Sequence, residues 1–338
     1  GMGVGISLAG LASAVANEGG IGVIAAAMIG IDEPDITTNP VEANIRALKR
    51  EIRKARQLTN GIIGVNIMVA LTQFADLVKT AIQEAVDIIF SGAGLPMNLP
   101  EYLTKGAKTK LVPIISSARA AALICKKWLA KYNYLPDAFV VEGPKAGGHL
   151  GFNEEQIDDP DFTLQKLVKD VIATVTPLAK ERKSTIPVIA AGGIYTGRDI
   201  REFLDLGASG VQMGTRFVAT IECDAALQFK EAFLSAKKED LIIIKSPVGM
   251  PGRAVRNRFI EEVQNGNKKP FTCPYKCVKT CRQAESPYCI ALALAAAKKG
   301  RLKNGFAFAG ANAYRVNEII SVKALIESLK REFSLTYA

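Results

Sequence analysis

The chain of 338 residues carries a single histidine, His149, in the run Val140-Val141-Glu142-Gly143-Pro144-Lys145-Ala146-Gly147-Gly148-His149-Leu150-Gly151. An apolar run that closes on glycines predicts a buried strand feeding a tight loop, with the imidazole presented at the strand's C-terminal end. An imidazole titrates close to neutrality, so at such a point it can hold or move a proton. The flanking glycines would let backbone and a planar ligand approach it. A lone histidine also fits a purely structural role, so its placement has to carry the argument. With one histidine and no Cys or Asp grouping beside it, neither a histidine-ligated metal centre nor a Ser-His-Asp set can be built.

Two more glycine turns close later apolar runs: Ala191-Gly192-Gly193-Ile194 and Gln212-Met213-Gly214-Thr215-Arg216-Phe217. In α/β barrels the loops after the last two strands form the usual phosphate site, where bare backbone N–H groups meet the anion. Thr215 adds a hydroxyl there. Any one such turn is explained by the tight loops a barrel needs, whereas three on successive strands point to a phosphorylated cofactor. Asn66 interrupts the run Ile62-Ile63-Gly64-Val65-Asn66-Ile67-Met68. A buried amide needs partners, which a flavin or a neighbouring backbone group on the barrel rim could provide. Gly92 and Gly94 leave room for a flat ring, and Ser116 and Ser117 suit the cap of a following helix.

The elements that must position these groups follow from the pattern of apolar residues. Strand-like runs at 20–26, 62–68, 87–91, 111–117, 138–142, 186–191 and 210–214 alternate with helical patterns at 8–17, 40–58, 72–84, 118–131, 164–176, 197–206 and 225–236. Pro40 suits a first helical position behind Asn39 as cap, and Val41, Ile45, Leu48 and Ile52 recur at helical spacing. The strands lack polar alternation, as expected when both faces of a parallel sheet are covered. This predicts a TIM (β/α)8 barrel over residues 1–240, its first strand preceding the sequence, with an α-rich C-terminal elaboration over 241–338 packed on it. An open doubly wound sheet is the competing fold. In the elaboration, 241–245 reads as a strand, 246–253 as a turn-rich segment, and 290–299 and 322–333 as helices.

Composition is that of a folded globular protein, 49% hydrophobic and 22% charged. No apolar stretch reaches membrane-spanning length, and the expected location is the cytoplasm. The formal net charge is +10, most of it between residues 250 and 304. That basic segment reads either as a solvated face or as a docking surface for an anionic substrate, an acidic carrier protein or a second subunit. No nucleic-acid motif accompanies it. The same segment holds Cys273, Cys277, Cys281 and Cys289. Spacings of four would set the first three along one face if the stretch is helical. Such thiolates could take zinc or an iron–sulfur cluster, but no C-x2-C pairing is present, and free or paired thiols are the alternative. Cys125 and Cys223 fit apolar helical contexts as core residues.

Taken together, Gly1-Met2-Gly3, Gly64-Val65-Asn66, Gly147-Gly148-His149-Leu150-Gly151, Ala190-Ala191-Gly192-Gly193-Ile194 and Gln212-Met213-Gly214-Thr215-Arg216-Phe217 resemble the nitronate monooxygenase family, formerly the 2-nitropropane dioxygenases. The motifs span most of the chain and are shared with the flavin-dependent enoyl-acyl-carrier-protein reductases II. The resemblance implies an FMN-containing barrel in which Met2, Gly3 and Asn66 contact FMN. Gly147 and Gly148 would border it, and Gly192, Gly193, Met213, Gly214 and Thr215 would hold its phosphate. His149 would lie over the flavin at the substrate, able to hydrogen-bond a nitro group or abstract an α-proton, with Glu142 turned into the barrel wall. The implied reaction is oxidation of alkyl nitronates by O2 to carbonyl compounds and nitrite. The alternative is NAD(P)H-dependent reduction of enoyl thioesters, for which the basic segment would suit an acidic acyl carrier protein. A homodimer is compatible with either. The segments 246–257 and 312–315 also resemble the family, without an assigned role, and the four-cysteine segment lies outside its pattern.

Overall fold

The structure is a computed structural model that describes residues 1–267 and 273–335; Lys268 and Lys269 of the basic segment lie outside the described residues. Among the described residues ten strands occur in chain order: β1 Gly22–Ala25, β2 Ile63–Met68, β3 Ile88–Gly92, β4 Lys110–Ile115, β5 Phe139–Glu142, β6 Gly148–His149, β7 Val188–Ala191, β8 Gly210–Gln212, β9 Leu241–Lys245 and β10 Pro251–Val255. The helices are α1 Ala9–Asn17, α2 Pro40–Leu58, α3 Phe74–Gln83, α4 Ala118–Tyr132, α5 Leu164–Glu181, α6 Gly197–Asp205, α7 Thr215–Val218, α8 Leu227–Leu234, α9 Arg258–Gln264, α10 Ile290–Lys298 and α11 Val322–Ser334. No described helix is long and apolar enough to cross a membrane.

Seven strands form one parallel sheet in the order β1-β2-β3-β4-β5-β7-β8, curled into an incomplete barrel of the TIM type. All seven strand-like runs of the sequence are in it. Its two edges are β1 and β8. Successive side chains take opposite faces: Ile63, Val65, Ile67, Ile89, Leu111, Phe139 and Val141 pack outward against the apolar stripes of α2 to α5. Phe90, Val112, Val140 and Ala191 fill the interior. With both faces covered, the absence of polar alternation in these strands has its cause.

Helix starts are secured by different means. Asn39 occupies the N-cap of α2 without a side-chain bond, Pro40 following as anticipated, whereas the Ser117 side chain accepts from Ala120 N–H at the start of α4. The N-terminal turn of α1 has Leu8 as its cap residue and is served from a distance. Asp224 accepts the N–H groups of Leu8, Gly10 and Leu11, and Glu51 accepts that of Ala9. These carboxylates at a helix N-terminus anchor the segment that leads from Gly1 into the barrel.

The remaining strands correct one expectation. His149 does not end a barrel strand: β5 stops at Glu142, and His149 lies in the two-residue β6 of a second, antiparallel sheet ordered β6-β10-β9. Gly252 faces His149 and Arg253 faces Gly148 across the ladder. The strand expected over 241–245 is β9, and the stretch expected as turn alone, 246–253, is a tight turn over 246–250 that runs into a second strand, β10, which begins at Pro251. A proline is tolerated at the first residue of a strand, where no N–H is owed to the ladder. The 306–309 segment continues alongside β10, Val255 N–H reaching Ala307 O and Ala309 N–H reaching Arg253 O. At the C-terminus α11 packs on α6 and α1.

Candidate active site

A cavity of ≈ 1350 Å³ runs from the barrel interior and its C-terminal mouth out past the sheet edges to α1, α6, α8 and α11, and the catalytic and cofactor-binding residues expected from the sequence line it: Met2, Gly3, Asn66, Gly147, Gly148, His149, Gly192, Gly193, Met213, Gly214 and Thr215. Pockets that hold small molecules usually span roughly 300–1,000 Å³, so a cofactor and a substrate can share it.

His149 is fixed on two sides. Its Nε2 lies 2.7 Å from Ser246 Oγ, and the Phe308 ring meets it edge-on with centroids 5.0 Å apart. Burial lowers its pKa to about 4, and no charged group acts on it. The imidazole is therefore neutral at pH 7. The loop that carries it is fastened from β10: the buried Arg253 donates from Nη1 to Pro144 O at 2.5 Å and to Ala146 O at 3.0 Å. Gly252 is required beside it, since a Cβ there would stand 2.8 Å from Phe308.

The glycine turns have a double cause. A Cβ on Gly147 would fall 2.5 Å from the backbone at Ala309 and Gly310, and one on Gly193 (φ +87) 2.8 Å from Lys145 Cβ. These glycines let three loops pack backbone to backbone. Gly148 differs. With φ +84 and nothing within 4 Å of its Cβ position, it leaves open space in the cavity beside His149. On the same wall, Thr215 Oγ1 accepts the Gly310 N–H at 3.2 Å, which leaves its own proton to donate. Lys145 brings a cation to this wall.

The segment 312–315 acts as a clamp on the loop after β7. Asn312 Nδ2 donates to Gly193 O at 2.6 Å. Tyr195 lies within cation–π distance of Arg315 and Arg216, at 4.4 and 4.8 Å. On the opposite wall Asn66 has one long bond, from Nδ2 to Phe90 O at 3.4 Å, so its amide keeps capacity for a ligand. Met2 crosses from there to β8, its sulfur 3.3 Å from the Cβ position of Gly214.

Glu142 requires a second correction. It takes the inward position after Val140 and lines the cavity instead of turning into the wall. Burial pushes its carboxyl up to about 7. The inside–outside alternation along β5 was the signal that could have placed it. Ser246, Arg253 and Asn312 fall in the segments 246–257 and 312–315 that the resemblance marked, but their roles had no local signal, because their partners lie 97 to 119 residues away.

The cysteine segment also departs from expectation. Residues 273–281 are not helical. The stretch lies across the loop after β2, with Thr72 N–H reaching Cys277 O and Lys279 N–H reaching Ala70 O. Cys273, Cys277 and Cys289 pack against an apolar cluster that includes Val4 and Met28. Among the described residues no group of three His, Cys, Asp or Glu is placed to hold a metal ion. Cys277 lines the cavity, its thiol pushed up to about 12 by burial and by the neighbouring thiols.

Comparison with known proteins agrees with this architecture. The family profile described as nitronate monooxygenase matches residues 1–332. A probable nitronate monooxygenase of Staphylococcus aureus is 29% identical, over 75% of this chain and 73% of that protein. The (3aS,4S,5R,7aS)-5-hydroxy-7a-methyl-1-oxo-octahydro-1H-indene-4-carboxyl-CoA dehydrogenase of Mycobacterium tuberculosis is 30% identical over 76% of this chain, a match that takes in 62% of its length. Among solved structures, FabK from Thermotoga maritima superposes with a TM-score of 0.74 at 31% identity, covering 100% of this chain and 92% of that one. Nitroalkane oxidase from Streptomyces ansochromogenes shares the fold at TM-score 0.73 and 22% identity, covering 99% of this chain and 94% of that one. A family profile that matches nearly end to end, over a barrel of the same architecture, places this chain in the nitronate monooxygenase family and thereby among the oxidoreductases.

Proposed function

We propose that this chain binds FMN in the barrel cavity and oxidises alkyl nitronates with O2. The observation that carries this reading is that one cavity gathers His149, the bare backbone at Gly148, the underused Asn66 amide and the glycine loops after β7 and β8. Those groups fit FMN chemically. Gly192, Gly193, Gly214 and the Thr215 hydroxyl would hold the phosphate, with Lys145 as counter-charge, and Asn66, Met2 and Gly3 would border the ring. When bound, FMN supplies the electron-accepting, O2-reactive ring that no side chain can provide.

The chain's own contribution is placement in an apolar surrounding. His149 is held neutral beside the open space at Gly148, where it can hydrogen-bond an oxygen of the nitronate. Phe308 and the apolar interior lower the local dielectric, which strengthens that bond. Two nitronates and one O2 give two carbonyl compounds and two nitrite ions, so the reaction balances without NAD(P)H.

A second reading, reduction of an enoyl thioester by NAD(P)H, is favoured by the dehydrogenase relative whose substrate is a carboxyl-CoA. The basic residues between 250 and 304 would then meet an acidic acyl carrier protein. Stopped-flow absorbance of the flavin-loaded protein separates the two. Rapid bleaching by an alkyl nitronate with a slow response to NADPH is expected. Rapid bleaching by NADPH alone would overturn the monooxygenase reading in favour of the second.

A further inference from the structure

We propose that Ser246 is a positioning residue that fixes His149 as its Nδ1–H tautomer, so that the ring offers the cavity a neutral N–H donor for an anion already formed. Ser246 is 3% exposed. Its hydroxyl has two neighbours: the Val248 N–H at 3.4 Å, which Oγ can only accept, and His149 Nε2 at 2.7 Å. If Nε2 carried the proton, Oγ would accept twice and its own buried proton would have no acceptor. With Nε2 unprotonated, the hydroxyl donates to it and every group at this point is satisfied.

The serine is itself held rigidly. It opens the 246–250 turn, where Ser246 N–H reaches Met250 O at 3.1 Å and Gly249 N–H returns to Ser246 O at 3.0 Å. Gly249 has φ +84, the left-handed conformation that glycine adopts without strain. On the other side of the ring, Nδ1 has no hydrogen-bond partner among the described residues and is not sealed off from the cavity. It is the nitrogen left for a ligand. Phe308, edge-on at 5.0 Å, opposes a ring flip that would exchange the two nitrogens.

The consequence for substrate choice rests on the nitronate reading above. An Nδ1–H donates to a nitronate oxygen. It cannot take the α-proton of a neutral nitroalkane, because the lone pair that would do so is absent from that atom. The proton-abstracting role that the sequence allowed for His149 is thereby replaced by hydrogen-bond donation to a nitronate, which leaves Glu142, on the cavity lining, as the group that could take an α-proton from a neutral nitroalkane.

Because the chain has one histidine, labelling with ring-15N histidine reports this site alone. In the flavin-loaded protein at pH 7, Nδ1 is expected at a pyrrole-type shift and Nε2 at a pyridine-type shift. Ser246→Ala should mix the two forms, and Ser246→Thr should retain the first. A protonated Nε2 in the parent protein, or a spectrum unmoved by Ser246→Ala, would overturn the assignment, and the parent spectrum decides even if the variant fails to fold. In turnover of the Glu142→Gln variant, which removes the other candidate base of the cavity, kcat/KM for the neutral nitroalkane should fall below that for its nitronate by about 10²-fold, the smaller end of what a general base contributes. Equal use of the two by that variant would overturn the donor role. The spectrum needs no turnover, so failure of the nitronate reading itself shows as absent nitrite release with the tautomer intact.

Discussion

On the phosphate-like side of the cavity, Gly192, Gly193, Gly214 and Thr215 arrive directly from the ends of parallel strands β7 and β8. On the facing side, His149 is held by a hairpin 97 residues further along the chain and by Phe308 beyond it. The first wall is made mainly by local backbone conformation at the strand ends, braced by single bonds from Asn312 and Gly310. The second exists only when three distant segments have come together. Damage to the hairpin should therefore spread through fold and chemistry at once, whereas damage to the glycine loops should stay with the ligand they border.

The largest effect is expected from Arg253→Met, which leaves the Pro144 and Ala146 carbonyls without their buried donor. A loss of about 3 kcal/mol in urea unfolding is expected, since bonds to charged groups contribute roughly 1.5–3 kcal/mol each and unmet buried partners add to this. Turnover should fall with it. A variant of unchanged stability would show that the hairpin does not hold the loop.

Gly193→Ala attacks the other wall. The residue has φ +87 and its Cβ would press on Lys145, so a cost of about 1–2 kcal/mol is expected from the strained backbone. It should appear as roughly tenfold weaker FMN binding in a fluorescence titration, with the His149 nitrogen shifts unchanged. Movement of those shifts would mean that the two walls are coupled.

Asn312→Ala should do less. It removes one bond to Gly193 O, and about 1 kcal/mol is expected, read as weaker flavin retention. An effect equal to that of Gly193→Ala would show that the clamp, not the glycine, shapes the loop.

The pH slopes of stability have opposite signs at His149 and Glu142. His149 is neutral in the fold down to about pH 4 while the unfolded chain protonates it near 6.5. Its contribution is thus present above 6.5 and lost as the pH falls toward 4. Glu142 is held protonated up to about pH 7 against an ordinary 4.5. Its contribution is present below 4.5 and is lost as the pH rises through 7. His149→Gln should remove the rising limb and Glu142→Gln the falling one in denaturation series across pH 4–8. The same sign in both would contradict the burial of one of them.

The same contrast explains what could be read from the residues alone. The seven parallel strands and their helices follow from apolar runs such as Ile62–Met68 and stripes such as Leu48 and Ile52, because burial on two faces leaves a local pattern. The glycine turns, Asn66 and His149 were recognisable as one site for the same reason, each being close in sequence to the strand that carries it. Of the β6-β10-β9 sheet only β9, the run 241–245, left such a trace, since β6 has two residues and its partner begins with a proline. Ser246, Arg253 and Asn312 act on groups set beside them by the fold. The cysteine spacing suggested a helical face that Pro274 and the left-handed Lys276 do not support.

In the proposed function His149 acts on a nitronate within the barrel cavity. Nitrite release from an alkyl nitronate under air, without NAD(P)H, should therefore be measured for the parent protein and for His149→Ala at equal bound flavin. Release by the parent and a drop of about 10²-fold or more in the variant are predicted. Equal rates in the two, or no nitrite from a fully flavin-loaded parent, would contradict it.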